Sequence, residues 1–134
     1  LSFIDNKAGR QGIEVVRSYD EVPDLRGDTD RLQQLFLNLI LNAFDAMEQG
    51  GHLKVRIFRS GPRHVSVRIS DDGVGISPSD LRLIFDPFFT SKRAGQGSGL
   101  GLVVAQEIAR DHGGEIEASS ELGAGTEFRV ILPL

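Results

Sequence analysis

Apolar and polar residues alternate with period two along four stretches of this chain and recur with helical spacing along three others. His64-Val65-Ser66-Val67-Arg68-Ile69-Ser70 alternates and predicts a half-buried strand. Leu53 to Arg59 alternates likewise, and with Arg63 to Ser70 it frames Ser60-Gly61-Pro62, which predicts a β-hairpin. Gly114 to Ser120 and Thr126 to Leu132 flank Gly123-Ala124-Gly125 and predict a second hairpin. The β-branched run from Gly12 to Tyr19, broken by the cluster from Pro23 to Gly27, predicts a further strand near a sheet edge.

The period changes from Asp30, where Leu32, Leu35, Phe36, Leu39, Ala43 and Met47 fall on one helical face. Asp28 or Asp30 can cap that helix, Gln33 stands at capping-box spacing from Asp30, and Gly50-Gly51 stops it. Ser77, Pro78 and Asp80 agree on the start of a short helix that Pro87 ends. Leu102, Val103, Ala105, Gln106 and Ile108 predict a helix over 100–111, and Leu1 to Ala8, ahead of Gly9, reads as the tail of another.

Composition narrows the possibilities. With 134 residues and 40% hydrophobic content the expectation is one domain, burying about two thirds of its unfolded surface. A net charge of −4 with scattered basic residues argues against nucleic acid as a partner. The chain has no cysteine, which excludes disulfides and thiolate metal sites and is compatible with a cytoplasmic setting. It begins with Leu, so the expectation is a piece of a longer protein, with 1–9 the tail of a preceding helix or a linker.

Four stretches carry candidate chemistry. Asp71-Asp72-Gly73-Val74-Gly75-Ile76 ends a strand in a turn whose glycines can expose bare backbone to a flat ligand, while Asp71 can accept from an exocyclic amine. An Asp-Gly turn with a solvated carboxylate accounts for the same letters. Asn38 and Asn42 lie one turn apart in an otherwise apolar helix, so they either hydrogen-bond a neighbouring backbone or face a polar ligand such as hydrated Mg²⁺. Glycines 95, 97, 99 and 101 run into a helix start, which fits a phosphate site or a flexible linker. Phe88 and Phe89 read as core residues, and His52, His64 and His112 as structural ones without zinc-site spacing.

In order and separation, Asn38 to Asn42, Asp71 to Gly75, Phe85 to Phe89, Gly97 to Gly101 and Gly123 to Thr126 resemble the N box, first glycine box, F box, second glycine box and final Gly-x-Gly-Thr element of the sensor histidine kinase ATP-binding domain. That domain belongs to the GHKL superfamily. The resemblance implies an α+β, two-layer sandwich: a mixed, mainly antiparallel sheet of about five strands, three helices on one face and a glycine-rich ATP lid. It implies that Asp71 accepts from adenine with Thr126 supporting through a water, and that Gly73, Gly75 and Ile76 floor the pocket. Asn42 would hold Mg²⁺, with Asn38 beside it at the catalytic position. Gly97, Ser98, Gly99, Leu100 and Gly101 would close over the phosphates of ATP or ADP, and Phe89 would lie beside the nucleotide.

The hydrolysing branches place Glu at position 38, and Asn cannot act as a general base, so slow hydrolysis is expected. Many histidine kinases carry a basic residue where this chain has Asp45, which leaves Lys92 or Arg93 as the substitute charge. The implied partners are a dimerisation and phosphoacceptor helical domain of the same parent protein and, indirectly, a response regulator. A degenerate nucleotide-gated module and a serine kinase of the anti-sigma type are the alternatives.

Overall fold

The computed structural model describes residues 2–25, 27–87, 89 and 101–134. Its elements follow in the order α1 (Ser2–Gln11), β1 (Ile13–Tyr19), α2 (Thr29–Ala46), β2 (Gly51–Arg59), β3 (His64–Asp71), α3 (Pro78–Leu81), α4 (Gly101–Asp111), β4 (Glu115–Glu121) and β5 (Gly125–Pro133). The strands form one sheet in the order β1-β2-β3-β5-β4. Only β1 and β2 run parallel, and the crossover between them carries α2; every other pair is antiparallel. The expected α+β, mixed and mainly antiparallel sheet is present.

Alternation decides the faces. Leu53, Val67, Ile69, Phe128 and Val130 are buried and meet Ile4 and Ala8 of α1, Leu35, Leu39 and Phe44 of α2, and Ala105 and Ile108 of α4 in one cluster. Lys54, Arg56, Glu115 and Glu117 project from the opposite face and are exposed. Leu35, Leu39 and Phe44 are fully buried, and each contributes about 1.5–3 kcal/mol by leaving water. Leu32 and Phe36 pack on the edge of the same cluster.

Several boundaries differ from the periodic reading. α1 runs through Gly9 to Gln11 and stops where Gly12 takes a φ of 74°. Asp28, not Asp30, caps α2: its carboxylate accepts from the Arg31 amide at 3.2 Å, so Gln33 does not complete a capping box on Asp30. α2 ends at Ala46, four residues before Gly50. β3 extends to Asp71, making that residue the last rung of the sheet rather than the start of a loop.

α2 and α4 are fastened at both ends. At one, Arg31 pairs with Asp111 at 2.8 Å, His112 Nδ1–H donates to the Ile108 carbonyl at 2.8 Å, and His112 Nε2 accepts from the Asp28 amide at 3.0 Å. That acceptor role requires a lone pair on Nε2 and so selects one neutral tautomer. At the other end Asn38 Nδ2 donates to the carbonyl of Gly101, the first residue of α4, at 3.0 Å.

Candidate functional site

Rows of side chains run across the strands, and on the helix-covered face their chemistry changes at one end. Val55, Ile69, Phe128 and Ala118 are in register and apolar. The next row is Leu53, Asp71, Thr126 and Ser120, so three polar side chains stand side by side at the rim of the core. Asp71 keeps only 9% of its exposure and Thr126 5%.

Asp71 is held from two sides: Oδ1 accepts from the Gly73 amide at 2.9 Å, and the carboxylate also accepts from the Thr126 amide. Burial pushes its pKa up, and the two backbone bonds offset only part of that shift. Asp72 shows the opposite behaviour. It accepts from the His52 amide at 2.8 Å and from His52 Nδ1 at 2.8 Å, and those bonds hold its pKa below the usual carboxylate range. His52 Nε2 stands 3.4 Å from Glu14. His52 is therefore part of the scaffold behind Asp71, at the site end of the sheet.

Ser120 closes the row. Its Oγ accepts from the Ile76 amide at 2.7 Å and lies 2.8 Å from the Gly125 carbonyl and 2.9 Å from Thr126 Oγ1. A hydroxyl has one proton and a carbonyl can only accept, so the Ser120 proton goes to Gly125. Thr126 must then donate to Ser120, and its oxygen keeps only acceptor capacity for anything else. The row thus presents acceptors at both Asp71 and Thr126. Alternation placed Ile116, Ala118 and Ser120 on one face, the signal by which Ser120 could have been found; the roles of Asp72 and His52 depend on β2–β3 register and carried no local signal.

Why glycine occupies 73, 75 and 125 follows from backbone crowding. A Cβ at Gly73 would strike the Ala46 carbonyl at the end of α2, and one at Gly75, where φ is 74°, would strike the Glu121 carbonyl. At Gly125, with φ 122°, it would strike the Asp71 carbonyl. The protein's own chain sets the need for glycine at these positions. Cross-loop bonds complete the packing: the Val74 amide donates to Ala46 at 3.1 Å and the Gly123 amide to Val74 at 2.7 Å.

The two asparagines of α2 separate here. Asn38 is engaged at both ends of its amide, accepting from Gln34 Nε2 at 2.6 Å and donating to Gly101. The half-buried Asn42 amide has no hydrogen-bond partner among the described residues, which leaves its oxygen available. An amide oxygen suits Mg²⁺, a hard ion that keeps several waters, and no cluster of three or more acidic or histidine ligands competes for a metal among the described residues. Phe89 is half-buried and packs with Phe85 against the core. Lys92, Arg93, Gly97, Ser98, Gly99 and Leu100 lie outside the described residues. No helix among the described residues is long and apolar enough to cross a membrane.

Known proteins resemble this chain in sequence and in fold. The family model described as histidine kinase-, DNA gyrase B-, and HSP90-like ATPase matches residues 27–134. The sensor histidine kinase ZraS of Escherichia coli strain K12 is 42% identical over the whole chain, which covers 28% of that protein. Sporulation kinase E of Bacillus subtilis strain 168 is 36% identical over 86% of the chain, covering 15% of its own length. The chain thus spans less than a third of these relatives. Among solved structures, the mycobacterial sensor histidine kinase MprB superposes with a TM-score of 0.82 at 30% identity, over 98% of this chain and 93% of that one. Full-length ShkA in complex with AMPPNP gives 0.87 at 28% identity, over 98% of this chain and 28% of its own. With Asp71, Asn42 and the glycine turns in the places described, the chain belongs to the histidine kinase-, DNA gyrase B-, and HSP90-like ATPase family, as an ATP-binding domain of the sensor histidine kinase type.

Proposed function

We propose that this chain binds ATP with Mg²⁺ and transfers the γ-phosphate to a histidine on a separate helical domain of its parent protein. The observation that carries the reading is Asp71, a carboxylate kept at the rim of the core despite the cost of burying it. Its remaining lone pairs accept from the exocyclic amine of adenine, and the acceptor-only Thr126 oxygen reinforces that polarity, through a water or directly. Guanine presents a carbonyl at the same place and meets two acceptors. Ile76, fixed by Ser120, and the turn through Gly73 and Gly75 keep the base in one plane.

Asn42 would hold the Mg²⁺, which when bound neutralises charge on the phosphates. Asn38 acts by fixing the start of α4, whose helix N-terminus faces the region where the resemblance puts Gly97, Ser98, Gly99 and Leu100 around the phosphates, with Lys92 as the added cation. Position 38 offers no base to activate water, so phosphate is retained for a protein acceptor. None of the described histidines serves as that acceptor: His52 is tied to Asp72, His64 opens β3 at the opposite end of the sheet, and His112 lies about 16 Å along α4 from Gly101, at 1.5 Å per residue.

Calorimetry with ATP, ADP and GTP tests the base pocket, and ATP and ADP should bind where GTP does not. Labelled ATP then tests transfer: no label on this chain alone, and acid-labile, base-stable label on a dimerisation hairpin from the parent protein. Equal GTP affinity would refute the adenine assignment. Acid-stable label would move the reading to a serine kinase, and binding without transfer to a nucleotide-gated module.

A further inference from the structure

On the face turned away from the helices, Arg56, Arg68 and Arg129 stand in register on three neighbouring strands, β2, β3 and β5. Adjacent strands lie about 4.8 Å apart, and like charges directly opposite one another destabilise a sheet. The guanidinium groups are nevertheless not paired: although Glu117 stands opposite Arg129, none of the three arginines makes a salt bridge among the described residues. Arg68 Nε and Arg129 Nε are shielded from solvent and have no hydrogen-bond partner. Two of the guanidinium groups are held in place, because Arg56 and Arg68 lie 4.5 and 5.1 Å from the centre of the Phe58 ring.

We infer that this arginine row docks an acidic helix of a partner protein, its carboxylates meeting Arg56, Arg68 and Arg129 in turn. The strand spacing matches the roughly 5–6 Å between side chains one helical turn apart, so a helix laid across the strands can place one carboxylate over each guanidinium. Phe58 offers apolar contact beside the row. Charge complementarity is local, since the chain as a whole carries −4. A nucleic acid fits worse: Glu117 ends the row on β4, in register with Arg129, and Glu127 borders it, so a continuous run of phosphates would meet carboxylates. A single phosphate fits worse too, because guanidinium groups spread along a flat sheet do not converge on one point.

The test uses this chain, a fluorescent alanine-based helical peptide bearing three glutamates one turn apart, and its glutamine twin. The glutamate peptide should bind, weaken with added salt, and lose about tenfold in affinity to the triple variant R56Q/R68Q/R129Q, which keeps the side-chain stems. ADP affinity and circular dichroism should not change, and R56Q, at an exposed position, gives the same direction if the triple variant does not fold. Thermal unfolding of R68Q should occur at the same temperature or higher, because a central like charge has gone. Equal binding of the glutamine twin, undiminished binding by R56Q and by the triple variant, or displacement of the peptide by low inorganic phosphate would each overturn the proposal.

Discussion

Asp71, Thr126 and Ser120 cross the helix-covered face of the sheet much as Arg56, Arg68 and Arg129 cross the open face, yet the inner row closes its hydrogen bonds on itself and the outer row leaves donors unmatched. Access to water explains part of the difference. At the rim of the core a polar atom without a partner is costly, so each of the inner groups is met by a backbone amide, a carbonyl or another hydroxyl. On the open face, arginine stems cover apolar surface while their ends reach out of it, and the Nε atoms of Arg68 and Arg129, shielded from solvent, stay without a partner. Closure also fixes polarity: through Ser120 the inner row offers acceptors and no donor, whereas the outer row offers donors alone. The first arrangement suits selection of one base, as proposed, and the second suits adhesion to a run of charge.

Opening the inner row at its centre should have the largest effect. Asp71→Ala removes the proposed acceptor for adenine and should weaken ATP and ADP binding about a hundredfold, the size of one charged hydrogen bond in a buried site. The fold should persist, as shown by circular dichroism and a cooperative melt. Arg129→Gln, on the other face, should leave ADP affinity within error. If both substitutions reduce ADP binding alike, the distinction between the faces is lost.

Gly125→Ala attacks the same row through the backbone. A Cβ there meets the Asp71 carbonyl in a conformation that L side chains rarely adopt, so the chain must shift between β3 and β5. About 3 kcal/mol of stability should be lost, read by urea unfolding, with nucleotide affinity falling as well. Gly123→Ala is the control, because its Cβ would meet nothing within 4 Å, although its φ of 84° still carries some strain.

Periodicity was enough to read four of the strands and the apolar face of α2, because burial on one side imposes a repeat that local letters reveal, whereas β1 was read from its β-branched run and the short helix, which buries no residue, from Ser77, Pro78 and Asp80. Ends were less legible. Asp28 rather than Asp30 caps α2 because the cap depends on the chain's entry angle, which His112 helps fix from 84 residues away. Asp71 stood out as a carboxylate at a strand end, and the asparagine pair as polar residues in an apolar helix. What separates Asn38 from Asn42 is the position of Gly101, and what gives Ser120 its role is the register of β4 on β5; both are set by tertiary packing.

Ser120→Ala should act more gently. It strands the Ile76 amide and frees the Thr126 proton, so stability should fall by about 1–2 kcal/mol. A freed Thr126 can donate to a carbonyl, so preference for ATP over inosine triphosphate should drop several-fold while ADP affinity changes less. A loss of stability with the preference intact would make Ser120 a packing residue only.

The smallest effect compares two consecutive carboxylates with opposite shifts. Asp71 has its pKa raised by burial, so its contribution to stability is full below the ordinary carboxylate range and is lost as pH rises through its folded value. Asp72 has its pKa lowered by the His52 bonds, so its contribution is present above the ordinary range and is lost as pH falls through its folded value. Without nucleotide, Asp71→Asn should therefore stabilise the chain at neutral pH and gain nothing in acid. Asp72→Asn should destabilise it at neutral pH and converge with the wild type in acid, by a modest amount because its side chain is 47% exposed and screened by solvent. Unfolding midpoints measured from acid to neutral pH should thus diverge from the wild-type curve in opposite directions. Divergence of both in the same direction would show that the rim of the core does not treat its two neighbouring carboxylates differently.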